Sequence, residues 1–223
     1  MATRLIAGAL FVAAGAVTAS PLVPIAQADI AISRDGKPGF HTGTASATTE
    51  GPGTLAIAVG KNSYASASGE GNRAVSVGDS SDSFATYGKN NRSLAIGTNS
   101  AASSGVGNNN SAEVRGNNST ASAGDGDNNS ATTRGDNSSS VTEGGDNNSA
   151  QTTGNDSSAS TKGGSNNTIR VSDNNNHTQL LNSNDTTVDI SGFNNQASYL
   201  GCEDETYSIT GTDQVVSQGC TAP

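Results

Sequence analysis

Asp127 and Asp146 stand nineteen residues apart, each directly after a glycine, within Gly124-Asp125-Gly126-Asp127 and Gly144-Gly145-Asp146. Carboxylates repeated at one column of a coiled chain are how nonapeptide rolls hold calcium, an ion that needs six to eight oxygens. Here the same column holds Asn108 one step earlier and Ser165 one step later, so the carboxylate ladder is interrupted. Asp127 and Asp146 are the only residues a metal reading can name. His41 and His177 have no set of Cys, Asp and His around them at ligand spacing. Serine fills so many repeat positions that no Ser-His-Asp arrangement stands out, so no enzyme activity is expected and no cofactor is implied. Arg134-Gly135-Asp136 spells an integrin tripeptide, but Arg115-Gly116-Asn117 and Thr153-Gly154-Asn155 occupy the same columns, and the repeat alone yields it. Thr133 and Thr152 form a two-coil beginning of the threonine ladder that an ice-binding face would use. Cys202 and Cys220 are the only cysteines, eighteen residues apart, and an even pair in an exported chain reads as a disulfide.

These residues are positioned by a repeat. Asn91, Asn110, Asn129, Asn148 and Asn167 stand nineteen apart, with Asn72 one step before and Thr186 one step after. A second series, Asn99, Asn118, Asn137, Asp156, Asn175 and Asn194, keeps the same spacing, and glycine columns run beside both. A period held over seven copies predicts an all-β, single-chain β-solenoid of about eight two-stranded coils. Asn and Gly tolerate positive φ, so both Asn columns read as tight corners, with their amides hydrogen-bonding along the stack. Within one nineteen-residue step, Cys202 and Cys220 fall on adjacent coils about 4.8 Å apart, inside the Cα separation a disulfide accepts.

Between the corners the residues alternate with the period of a strand. Ala74, Ser93, Ala112, Ala131, Ala150, Ile169 and Val188 form one column predicted to point inward, and Ser76, Ala95, Val114, Thr133, Thr152, Val171 and Ile190 form another. A second strand repeats the logic with Ala102, Ala121, Ser140, Ala159, Thr178 and Ala197. Interiors this small predict two sheets close together. The core is expected to widen toward the C-terminus, where Ile169, Leu180, Leu181, Ile190, Tyr199 and Leu200 replace Ala and Ser.

One stretch departs from the polar pattern. Leu55, Ile57, Val59, Val75, Val77, Leu94 and Ile96 align over the first three coils, where later coils place Glu113 and Arg115 or Thr132 and Arg134. Either these aliphatics face the core, or are covered by an N-terminal cap, or they form an exposed interaction patch of the kind that meets a partner.

Ser93-Leu94-Ala95-Ile96-Gly97 with Asn99-Ser100-Ala101, and Ala74-Val75-Ser76-Val77-Gly78, resemble the head repeats of trimeric autotransporter adhesins, over about residues 54–105. Those heads are left-handed β-rolls; the resemblance implies apolar faces that meet in a trimer and a surface that binds host matrix or cells. Residues 1–223 show no segment patterned as the coiled-coil stalk or barrel anchor of that family, and the period is nineteen. Gly107-Asn108-Asn109-Asn110-Ser111-Ala112, and the equivalent segments to Ala131 and Ala150, are similar to curlin-type repeats, though the glutamines of that repeat are absent.

Residues 1–28 combine Arg4, an apolar run from Leu5 to Val17 and Ala26-Gln27-Ala28, the order of a secretory signal peptide. The product is therefore expected to be secreted or extracellular, at a cell surface, with no integral membrane segment in the mature chain. Removing Arg4 leaves 10 basic and 20 acidic residues out of the 11 and 20 of the whole chain, a balance that excludes nucleic acid as a partner. Aromatics are 4% and tryptophan is absent, which on composition alone fits a disordered spacer. The organisation read from the sequence is a signal peptide over 1–28, a cap or linker over 29–52, solenoid repeats over 53–204 and a C-terminal cap with its disulfide over 205–223. The function expected is a structural or adhesive interaction role, with the chain itself or an extracellular surface or matrix as partner. The alternatives are a calcium- or ice-binding solenoid and the disordered spacer.

Overall fold

The computed structural model describes residues 29–220; the signal-peptide reading of residues 1–28 lies outside the described residues, as do residues 221–223. Twenty-one strands follow one another without a helix among the described residues. The first are β1 (Ile30–Arg34), β2 (Lys37–Thr42), β3 (Ser46–Glu50), β4 (Leu55–Val59), β5 (Tyr64–Ser68), β6 (Arg73–Val77) and β7 (Asp82–Thr86). The middle of the chain forms β8 (Arg92–Ile96), β9 (Ala101–Gly105), β10 (Ser111–Arg115), β11 (Thr120–Gly124), β12 (Ser130–Arg134), β13 (Ser139–Glu143) and β14 (Ser149–Thr153). The last are β15 (Ser158–Lys162), β16 (Thr168–Ser172), β17 (His177–Leu181), β18 (Thr187–Phe193), β19 (Gln196–Leu200), β20 (Thr206–Thr212) and β21 (Val215–Gly219).

From β4 onward even-numbered strands build one sheet and odd-numbered strands the other, giving 11- and 10-stranded sheets wound as a parallel β-solenoid of about nine turns. Leu55 pairs with Arg73, eighteen residues on, and Arg73 with Arg92, nineteen on; the later coils hold the longer step. At the start, β1 enters antiparallel between β2 and β4, while β3 joins the other sheet in parallel with β5. At the far end β20 and β21 continue both sheets in parallel register. This continuous pairing overturns the disordered-spacer alternative: composition lacks large apolar groups, but each coil satisfies its backbone through the next one, as Ser111 N–H does on Asn129 O at 2.8 Å.

The inward columns are the small ones. Ala56, Ala74, Ser93, Ala95, Ala112, Ala131 and Thr133 are fully or almost fully buried. The sheets lie so near each other that Ser93 Oγ donates to Ala102 O at 2.7 Å and Thr133 Oγ1 to Thr120 O at 2.7 Å, each crossing from one sheet to the other. Thr152 Oγ1 does the same to Ser139 O at 2.9 Å. Thr133 and Thr152 are thus interior groups, and the ice-face reading of that column fails because their methyls and hydroxyls never reach the surface.

The core widens as expected through Ile169, Leu180, Ile190 and Tyr199, all buried. Leu181 and Leu200 do not join it. Both follow an inward residue, so the two-residue period of a strand turns them out, and Leu200 is 50% exposed. Tyr199 stacks on Tyr207 with ring centroids 4.1 Å apart, and the Cys202–Cys220 disulfide ties the last coil to the one before it at a Cα separation of 4.7 Å.

Both Asn series were expected at corners with positive φ; only one of them is. Asn99, Asn118 and Asn137 take φ of 52°, 52° and 54° and are exposed. Asn91, Asn110, Asn129, Asn148 and Asn167 are instead buried inside the opposite corner, and the residue before each, Asn90, Asn109, Asn128, Asn147 and Asn166, adopts the left-handed turn. A buried amide needs every donor and acceptor met. Asn110 meets them all: its Oδ1 accepts Asn129 N–H at 2.9 Å and its Nδ2 donates to Gly126 O at 2.8 Å and Gly105 O at 3.4 Å. On the other corner Ser119, Ser138 and Ser157 form a shorter-armed version of the ladder, each hydroxyl donating to a carbonyl of the next coil.

Candidate interaction surface

The seven aliphatics singled out in the sequence come together on the outer face of the 11-stranded sheet. Ile57, Val75 and Leu94 are register partners across β4, β6 and β8, and Val59, Val77 and Ile96 form a second row two residues further along. Leu55 stands at the head of a third row that continues as Arg73 and Arg92. The alternating Ala56, Ala58, Ala74, Ser76, Ser93 and Ala95 are buried, so the reading in which the aliphatics fill the core is excluded: a gap bridged by a serine hydroxyl has no room for Leu94. All seven are half-buried on the outer face of the sheet.

The N-terminal strand lengthens this surface rather than covering it. Because β1 lies edge-on against β4, Ile30 sits opposite Val59 and Ile32 opposite Ile57. Two rows of four aliphatic side chains result. No nineteen-residue period links Ile30 and Ile32 to the repeat; the alternation Ile30-Ala31-Ile32-Ser33, with Ala31 and Ser33 buried, is what marks them as part of the same pattern.

The patch stops abruptly at β10, where Glu113 lies beside Leu94 and Arg115 beside Ile96. Glu113 accepts from Arg115 Nε at 2.6 Å and has Arg134 Nη2 at 3.7 Å. The hydrogen bond from Arg115, aided by the nearby guanidinium charges, holds its carboxyl below the usual glutamate range. On the opposite sheet Tyr64 and Phe84 make a separate aromatic pair, centroids 5.5 Å apart, that no repeat column announced.

Asp127 and Asp146 are neighbours, but as rungs. Asp127 Oδ1 accepts Asn108 N–H at 2.7 Å, and Asp146 Oδ1 accepts Asp127 N–H at 2.7 Å. Asn108, Ser165 and Asn184 perform the same role in that column, which explains why Asp, Asn and Ser interchange there: each offers an oxygen to a backbone N–H. No group of three or more His, Cys, Asp or Glu is placed to hold a metal among the described residues. Asp136 of the Arg-Gly-Asp triplet is likewise a rung, accepting Asn117 N–H at 2.7 Å.

Fold and surface together define a parallel β-solenoid protein with a polar body and one aliphatic face. No protein-family model matches the chain, and no curated protein matches it. No helix among the described residues is long and apolar enough to cross a membrane.

Proposed function

We propose that the protein is an exported, non-enzymatic β-solenoid that works by contact, as a structural or adhesive element at an extracellular surface. The observation that carries this reading is the pair of aliphatic rows from Ile30 and Ile32 to Leu94 and Ile96, on a sheet whose outward positions over β10 to β16 are polar or charged. Contiguous apolar surface on an otherwise hydrophilic protein favours a partner that removes it from water. The head-like repeats at Ala74–Gly78 and Ser93–Gly97 agree with this, since in that family the corresponding faces meet between subunits. Export rests on the leader-like residues 1–28 and on the paired cysteines.

Sedimentation of the mature chain, with binding to matrix proteins and cells measured in parallel, tests the reading. Val75→Glu with Leu94→Glu is expected to abolish self-association or matrix binding while leaving the strand signal of circular dichroism unchanged. A monomer that binds neither matrix nor cells at high concentration would overturn it.

A further inference from the structure

The two ends of the solenoid are built differently. At the N-terminal end β2 closes its sheet as an antiparallel strand carrying Lys37 and Pro38, and the β1–β2 pairing is irregular between Ala31 and Ser33. Proline, lysine and a bulge on an outermost strand are devices that prevent further pairing. At the C-terminal end β20 and β21 are the last strands of their sheets, each with one pairing partner among the described residues. Glycines report the same contrast: a Cβ on Gly192 would lie 1.9 Å from Gly211 O in the coil beyond, whereas a Cβ on Gly211 meets nothing within 4 Å. The outer edge of β20, seven residues long and rich in threonine, has neither proline nor lysine to protect it.

The charge around that edge is one-sided. Between Val171 and Cys220 there are seven acidic side chains and no Lys or Arg, while residues 29–100 carry six of each sign. Glu203, Asp204 and Glu205 stand in the corner before β20 and Asp213 in the corner after it, all exposed. A second copy is a poor complement. Its own C-terminal edge would bring like charges together, and β2, the N-terminal edge of the matching 11-stranded sheet, is a protected one.

From the open edge and its acidic brackets we infer that β20 is a docking site for an extended, basic segment of another polypeptide, which adds to the 11-stranded sheet as a further strand. Backbone hydrogen bonds along the edge supply sequence-tolerant affinity. Lys or Arg near both ends of a segment of about seven residues, roughly 23 Å long, would face Glu203–Glu205 at one side and Asp213 at the other. This site is separate from the aliphatic rows and stands or falls without them.

The test uses the mature protein and three synthetic peptides of seven to nine residues: a Thr/Val strand former with lysines at both ends, the same peptide with glutamates instead, and a lysine peptide with alternate prolines. The first is expected to bind, to weaken as salt is raised, and to slow amide hydrogen exchange over Tyr207–Thr212 while leaving the middle coils unchanged. The glutamate and proline peptides are expected to bind at least tenfold more weakly. Neutralising the brackets with Glu203→Gln, Glu205→Gln and Asp213→Asn together should lower affinity for the lysine peptide about tenfold. These exposed side chains can be altered without touching the core, and an unchanged melting temperature verifies that. Equal binding of all three peptides, indifference to the neutralising changes, protection elsewhere than β20, or pairing of the chain with itself through this end would each overturn the proposal.

Discussion

Asn91 Oδ1 accepts the backbone N–H of Asn110 at 2.9 Å, nineteen residues further along the chain. The same bond recurs from Asn110 to Asn129 and from Asn129 to Asn148, so one buried amide per coil holds the next coil in register. Replacing Asn129 by Ala would orphan the Asn148 N–H and the Gly145 carbonyl, to which Asn129 Nδ2 now donates at 2.9 Å. At about 1–3 kcal/mol for each unsatisfied buried group, the expected loss is about 2–6 kcal/mol in a denaturant melt. Asn137→Gly, which keeps the left-handed turn of the exposed series, is expected to stay within about 0.5 kcal/mol. Equal effects at the two sites would show that burial does not distinguish the ladders.

Gly107 and Gly211 separate two costs that a glycine corner combines. Both have positive φ, 129° and 115°, but a Cβ at Gly107 would lie 1.9 Å from Gly126 O of the following coil, a backbone atom that cannot swing aside. Gly107→Ala is expected to cost about 3 kcal/mol or more, because two coils must part. Gly211→Ala carries only the left-handed strain of about 1–2 kcal/mol. Thermal melts of both variants check the order.

Reducing the Cys202–Cys220 bond should act locally. Stability in a stack passes from neighbour to neighbour, so loss of the staple frees the last coil while the middle coils retain their contacts. The near-ultraviolet signal of the stacked Tyr199–Tyr207 pair is expected to collapse under reductant, with most far-ultraviolet strand signal remaining. Simultaneous loss of both would show that the last coil is needed by the whole stack.

Glu113 predicts a pH effect with a definite sign. Its folded carboxyl titrates below the unfolded value, so the stabilisation from Arg115 is complete above the ordinary glutamate range and fades as pH falls through the lower, folded value. Glu113→Gln should therefore lower the melting temperature modestly at neutral pH and flatten the acid limb, the two profiles converging below the folded value. An identical profile in the variant would remove Glu113 from that limb.

Much of this architecture is written in the chain itself. Nineteen-residue columns specify stacked coils, and the alternation of Ala or Ser with larger residues specifies which positions share a face, because a strand turns each successive side chain to the opposite side. The eighteen-residue spacing of Cys202 and Cys220 specifies their pairing, since adjacent coils bring the two within bonding reach. What an alternating pattern leaves open is which face is inside. Only the assembled stack decides that Ala74 and Ser93 are interior and Val75 and Leu94 exterior, because the short corners bring the two sheets within reach of a serine hydroxyl. Tertiary pairing also decides that one Asn series is a buried ladder and the other an exposed turn, that Ile30 and Ile32 extend the aliphatic rows by entering antiparallel, and that β20 is the outermost strand of its sheet among the described residues. Each depends on a neighbour nineteen or more residues away, or on the absence of one, and such contacts leave no mark on local composition.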